Sequence, residues 1–189
     1  MYDRQMISEN RSDLSLLKGV ASGNDMDFLV LMERYMELVS RTSFRILCDR
    51  EDSEAVTVRV FVSLSRDVMD YDDRFTLEEW ILRRTCVYCR IRIFRRRILR
   101  LFGVMTDVFV RASPKVENED DFITKQAWEL YCRAASHMTP LQRVVYALCE
   151  LEGMRQEDVR RLLGLTGFRV GTACRRAVEK VYSELQHFD

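Results

Sequence analysis

Glu54-Ala-Val-Thr-Val-Arg-Val-Phe-Val-Ser-Leu-Ser-Arg-Asp-Val-Met69 decides whether this chain is wholly helical. Val56, Val58, Val60, Val62 and Leu64 fall on alternate positions, as the inward residues of a half-buried strand do, and valine favours strands. The same stretch also sets Val56, Val60, Leu64 and Val68 four residues apart, along one face of a helix. Local propensity by itself reads a strand.

The flanking sequence is helical on both sides. Upstream, Asp49-Arg-Glu-Asp52 breaks one helix and supplies caps for the next element. Before it, Phe28, Leu31, Met32, Tyr35, Leu38 and Val39 recur at helical spacing between about Asp25 and Cys48. A shorter apolar helix, capped by Asp13, ends near Ser22-Gly23-Asn24. Downstream, Asp70-Tyr-Asp-Asp-Arg74 is a polar loop, and a long helix is expected from Thr76 to about Phe102. At 100° per residue Trp80, Val87, Ile91, Phe94 and Ile98 form one narrow stripe, which reads as the face that packs inside this unit. Arg84, Arg92, Arg95 and Arg96 lie away from it.

Residues 103–121 contain Gly103, Ser113-Pro114 and the acidic run Glu117-Asn-Glu-Asp-Asp121, and read as a linker. A second helical unit is expected from Phe122. Ile123, Ala127, Leu130, Tyr131 and Ala134 form one stripe; Thr139-Pro140 starts another helix, with Leu141, Val144, Val145 and Leu148 on its buried face, and Gly153 ends it. After it, Gln156–Leu163 is a two-turn helix, Gly164-Leu-Thr166 a tight turn, and residues 168–186 a longer helix. This is the spacing of a helix-turn-helix. Val170, Cys174, Ala177, Val178, Val181 and Leu185 are its inward positions. Arg169, Thr172 and Arg176 share the outward face near its start, where a recognition helix meets base edges in the major groove.

Composition narrows the class. Of 189 residues 47% are hydrophobic and 32% charged, enough for a core and too charged for a membrane protein. The longest apolar run, Phe28–Met32, is far short of a bilayer span, and Met1-Tyr-Asp-Arg-Gln-Met6 lacks the basic-then-apolar pattern of a signal peptide. A cytoplasmic location is expected. With two prolines and seven glycines the chain has few helix breakers. Among six cysteines only Cys86 and Cys89 form a C-x-x-C, and His137 and His187 are the only histidines. A four-ligand structural zinc site is therefore not expected, and the thiols read as reduced and buried. No glycine-rich phosphate loop, paired-histidine metal motif or G-x-S-x-G elbow occurs, so no catalytic residue, cofactor or metal is assigned.

The formal charge is zero, yet residues 81–100 carry eight arginines (83, 84, 90, 92, 95, 96, 97, 100) and no acid. Like charges crowded on one helix repel, which points to an anionic partner. The cations are 26 Arg against 4 Lys, a bias that suits phosphate and base edges.

In this order the segments resemble the extracytoplasmic-function (ECF) group of the sigma-70 family, from Leu16 to Leu185. Gly23-Asn-Asp-Met-Asp-Phe28 with Tyr35 is similar to the family's G-D-x-x-A-F…Y, and Asp52–Phe61 to its D-A-E-D-[IL]-V-Q-E-V-F polymerase-clamp helix. Trp80-Ile81 and Arg95-Arg-Arg97 resemble W-L…R-R-R of the −10 helix. Thr139–Arg143, Leu151-Glu-Gly153, Glu157-Asp-Val159, Leu163–Thr166 and Arg176-Ala177 resemble P-x-x-Q-R, L-E-G, E-E-I, L-G-I-S and the late R-A. The resemblance makes residues 54–69 a helix and implies an all-α chain of two small domains. Residues 12–102 would engage core polymerase and the −10 region, 103–121 would link, and 122–187 would engage the −35 region and the polymerase flap.

It further implies binding to the clamp through Glu54, Val58, Arg59 and Phe61. Contacts to −10 DNA fall to Trp80, Arg84, Arg90, Arg92, Arg95, Arg96 and Arg97, and contacts to −35 DNA to Arg169, Thr172, Arg175 and Arg176. The partners are RNA polymerase core and promoter DNA, with an anti-sigma factor or a DNA-targeting recruiter, protein- or RNA-guided, as further candidates. Departures from the family pattern leave two alternatives. The second acid and the glutamine of the clamp helix are Ala55 and Val58, and the asparagine and aspartate of the −10 helix are Val87 and Ile91. Arg160 replaces a small alanine, and Arg169-Val-Gly171 replaces T-V-K. A sigma-like adaptor or decoy that holds polymerase or DNA without initiating fits these changes, and an ordinary helix-turn-helix regulator is the other reading.

Overall fold

The structure, a computed structural model, describes residues 11–102 and 119–186. Eight α-helices and no strand occur among the described residues: α1 (Asp13–Ala21), α2 (Asp25–Leu47), α3 (Arg50–Arg66), α4 (Leu77–Leu101), α5 (Glu119–His137), α6 (Pro140–Tyr146), α7 (Gln156–Leu163) and α8 (Gly167–Gln186).

Residues 54–69 are helical up to Arg66, in α3. Val56, Val60, Phe61 and Leu64 are buried, while Val58 and Val62 face outward. Burying each of those side chains contributes about 1.5–3 kcal/mol, whereas the helix propensity of valine differs from that of alanine by less than about 0.7 kcal/mol. Packing against α2 and α4 therefore outweighs the local preference for a strand.

Local chemistry fixes the helix ends. Ser12, rather than the expected Asp13, caps α1 by accepting from the Ser15 amide; Asp13 is the first helical residue, and its carboxylate accepts from the Tyr35 hydroxyl at 2.6 Å. Gly19 lets α2 approach α1, since a Cβ there would lie 1.6 Å from Asp27 Oδ2. Asn24 caps α2, Cys48 ends it in the left-handed region at φ 54°, and Asp49 caps α3 by accepting from the Asp52 amide at 2.8 Å. Reciprocal capping boxes start α4 (Thr76 with Glu79) and α6 (Thr139 with Gln142, Pro140 at the first turn). Helix α6 runs on into a π-helical turn, Ala147–Leu151. Most of the expected linker lies outside the described residues, and α5 begins at Glu119, three residues before the expected Phe122.

Two expected faces are corrected. On α4 the buried residues are Leu77, Trp80, Ile81, Leu82, Thr85, Cys86, Cys89 and Ile93. Val87, Ile91, Phe94 and Ile98 lie on the exposed side instead. The inward face takes the smaller Thr and Cys side chains, which let α2 and α3 pack close. In the second unit Ala127 is exposed, as is Leu185, while Leu130, Tyr131, Ala134, Val170, Cys174 and Ala177 are buried.

The two helical groups share one continuous apolar core. It runs from Leu16, Leu31, Val39, Val60 and Ile81 of α1–α4 to Val144, Leu148, Leu162 and Val170 of α6–α8. A smaller cluster joins Cys48 to Tyr131, Ala135, Met138 and Ala177.

Candidate nucleic-acid interface

On α3, Glu54, Val58 and Arg59 occupy the exposed face together with Val62. Glu54 pairs with Arg50 at 2.9 Å, and the Arg59 guanidinium lies over the Tyr88 ring. Phe61, expected on the same docking face, is instead buried at 3% exposure. Two residues beyond Arg59, it is turned through about 200°, from the outer face to the core.

The six arginines of α4 expected at −10 DNA divide into three sets. Arg92 and Arg96 turn inward, contrary to the expectation that they face phosphates: Arg92 meets Asp52 at 2.5 Å, and Arg96 meets Asp52 at 2.6 Å and Asp49 at 3.2 Å. Asp52 is 1% exposed, so these contacts neutralise a carboxylate that burial would otherwise penalise heavily. Arg84 pairs with Asp67 at 2.8 Å and lies 4.1 Å from the Trp80 ring, while Arg97 donates to the Met138 carbonyl at 2.5 Å. Only Arg90 and Arg95 of the seven predicted −10 contacts are exposed and form no ion pair among the described residues.

Trp80 is buried, with Tyr71 edge-on to it at 5.5 Å. Around it Asp70, Asp72, Phe75, Arg83, Arg84, Val87 and Tyr88 line an open cleft of about 380 Å³. Val87 also borders a second cleft of about 400 Å³, lined by Arg90, Ile91, Phe94 and Pro140. Trp80 thus forms part of a cleft wall rather than a protruding surface.

Helices α7 and α8 form the helix-turn-helix, with Gly164 at φ 62° making the turn. Arg169, Arg175 and Arg176 are exposed along α8, and Thr172 is half-buried beside them. Phe168, 82% exposed at the start of α8, belongs to the same surface and was missed from sequence. Its spacing carried the signal, since it stands two residues before Val170 and so on the opposite face of the helix.

A polar seam joins the two groups. Glu152, of the Leu151-Glu-Gly153 motif, lies 2.9 Å from Arg45 and 3.3 Å from Arg41, and Arg45 also donates to the Leu151 carbonyl. The Tyr131 hydroxyl donates to the Arg45 carbonyl at 2.7 Å, Phe44 stacks on Trp128, and Arg161 meets Glu79 at 2.9 Å. Sequence reasoning had no means of finding this hub, whose partners lie about a hundred residues apart. Cys86 and Cys89 point into the core, and burial pushes the Cys86 thiol up to about 12, which suits packing rather than ligation.

No family model matches the chain. The ECF RNA polymerase sigma factor SigE of Mycolicibacterium smegmatis is 24% identical over 136 residues, 71% of this chain and 52% of that protein. The chain thus spans about half the length of the curated relative it matches. Among solved structures, CnrH in complex with the cytosolic domain of CnrY superimposes with a TM-score of 0.60 at 21% identity, over 94% of this chain and 99% of that one. The sigma factor RpoE, in complex with the anti-sigma factor NepR from Bartonella quintana, superimposes with a TM-score of 0.61 at 12% identity, over 85% and 97%. The chain resembles ECF sigma factors in sequence, and it has the all-helical fold of these solved structures.

Proposed function

We propose that this chain is an ECF-type sigma factor, which binds core RNA polymerase and directs it to promoter DNA. The likeness of its fold to sigma factors along most of its length supports this reading, joined to an exposed cationic face on the second helix of a helix-turn-helix. The outer face of α3, with Glu54, Val58 and Arg59, is the proposed clamp contact. Arg90 and Arg95 supply −10 phosphate contacts, and Arg169, Thr172, Arg175 and Arg176 meet the −35 region in the major groove. Catalysis belongs to the polymerase, and the chain acts in the cytoplasm where the polymerase is. No helix among the described residues is long and apolar enough to cross a membrane. An anti-sigma factor is a further proposed partner, since one of the solved relatives is held by one.

Run-off transcription with purified core polymerase and this chain alone tests the reading. Initiation at discrete sites supports it. Failure to bind core polymerase overturns it. Core binding without initiation leaves the adaptor reading, in which another factor brings the complex to DNA. That reading draws on the apolar character of Val87 and Ile91, since capture of an unstacked base uses polar edge contacts. A recruiter, protein- or RNA-guided, would then supply local concentration at the target.

A further inference from the structure

Val87, Ile91, Phe94, Ile98, Leu101 and Phe102 form a continuous apolar face on α4 and just beyond its end, between 36% and 84% exposed. Their spacing is that of one helical stripe, about 22 Å long at 1.5 Å per residue. Single exposed apolar side chains are ordinary, but six in register on one helix mark a contact surface. Pro140 of α6 closes one side of the stripe and, with Arg90, Val87, Ile91 and Phe94, makes a groove of about 400 Å³. Arg90 and Arg95 flank the stripe, one on each edge, both exposed and without an ion pair among the described residues. From Ile81 to Phe102 the chain contains no acid.

From this we infer that the outer face of α4 docks an amphipathic helix of a partner protein, with apolar residues at i, i+4, i+7 and i+11 and acidic residues along its flanks. Aliphatic knobs in register on one helix fit the apolar stripe of another, and the flanking guanidiniums select carboxylates over cations. Charge decides against a second copy, because two such faces would bring Arg90 and Arg95 against their own kind. Single-stranded nucleic acid would satisfy the arginines but not the stripe. Four of its six side chains are aliphatic, offering neither a stacking plane nor a hydrogen bond to a base. Arg90 and Arg95 are also the proposed −10 contacts, so a partner helix seated here and promoter DNA would exclude each other; the test of the docking requires no polymerase.

The probe is a helix-forming peptide of about 18 residues. It has leucine at i, i+4, i+7 and i+11 and glutamate on both flanks, and is compared with the same peptide carrying lysine flanks. Binding to the full chain is read by fluorescence anisotropy. The glutamate peptide should bind at least about tenfold more tightly than the lysine peptide. Ile91→Glu with Phe94→Glu should abolish binding while leaving the circular dichroism and the thermal midpoint unchanged, since both residues lie on the exposed side of α4, 48% and 59% accessible. Arg90→Glu with Arg95→Glu should reverse the preference toward the lysine peptide. Equal binding of the two peptides, no binding of either, or binding indifferent to Ile91→Glu/Phe94→Glu would overturn the proposal. So would loss, in Ile91→Glu/Phe94→Glu, of self-association, of single-stranded oligonucleotide capture, or of binding by a peptide of residues 103–118.

Discussion

The carboxylate of Glu152 lies 2.9 Å from the guanidinium of Arg45, so the π-helical turn after α6 is tied to the last turns of α2. Arg41 approaches the same carboxylate and the Thr42 hydroxyl donates to it, which leaves Glu152 with a side chain only 9% exposed. Replacing Glu152 by Ala should lower stability by about 1–3 kcal/mol, through lost charge-assisted hydrogen bonds. It should also raise the radius of gyration as the seam loosens. Urea unfolding and small-angle scattering measure the two effects, and an unchanged urea midpoint would refute a structural role for the seam.

Arg95 and Arg96 are neighbours with opposite duties. Arg95→Ala should leave the urea midpoint alone and reduce the log–log salt slope of DNA binding by about one. Arg96→Ala should spare the slope and lower stability, because it strips Asp49 and Asp52 of a partner. The cost for a buried pair is about 3 kcal/mol. Equal effects of the two substitutions on the salt slope would contradict the inward placement of Arg96.

Gly171 lies within α8, and a Cβ built there meets nothing closer than Gln156 Oε1 at 3.6 Å, an ordinary contact. Gly171→Ala should therefore stabilise the chain by about 1 kcal/mol by restricting the unfolded state and restoring helix propensity. Thermal unfolding by circular dichroism checks it, and a lowered midpoint would mean that α8 bends at this glycine.

Burial pushes the thiols of Cys86 and Cys149 up to about 12, from an ordinary value of 9.0. The folded protein therefore keeps protons that the unfolded chain releases above about pH 9. This contribution to stability is complete below that pH and is lost as pH rises toward the folded values. Urea midpoints should fall between about pH 8.5 and about pH 10.5 more steeply in the native sequence than in Cys86→Ala/Cys149→Ala. Iodoacetamide should alkylate the folded chain slowly even at Cys149, which is only partly buried.

Much of the fold was legible because its signals are local. Thr76 with Glu79, Thr139 with Gln142 and Pro140, and Gly164 in the turn each fix a helix end from a few adjacent residues. The inner face of α4 was not legible. Hydrophobicity favoured Val87, Ile91, Phe94 and Ile98, whereas the core took Thr85, Cys86 and Cys89 and turned Arg92 and Arg96 toward acids forty or more positions earlier. A guanidinium is an inward residue only when a distant carboxylate meets it, and no periodicity within α4 contains that information. Residues 54–69 posed the reverse problem: alternation there mimicked a strand, the family resemblance overruled it, and the packing of Val56, Val60 and Leu64 between two helices gives the physical reason. Of the candidate DNA surface, the exposed arginines of α8 were legible from its register, while Phe168 and the Glu152 hub were not identified.

The core shared by α1–α4 and α6–α8 imposes reciprocity on whatever binds either half. A ligand that needs the halves apart binds more weakly by the fraction of molecules already parted, since separation exposes Val144, Leu148 and the helix faces opposite them to water. Two such ligands, one on each half, lower that barrier for each other by the same factor in either order. If the proposed polymerase and DNA ligands each needed the halves apart, they would bind cooperatively through this separation, with a strength set by the shared core and the Arg45–Glu152 seam together.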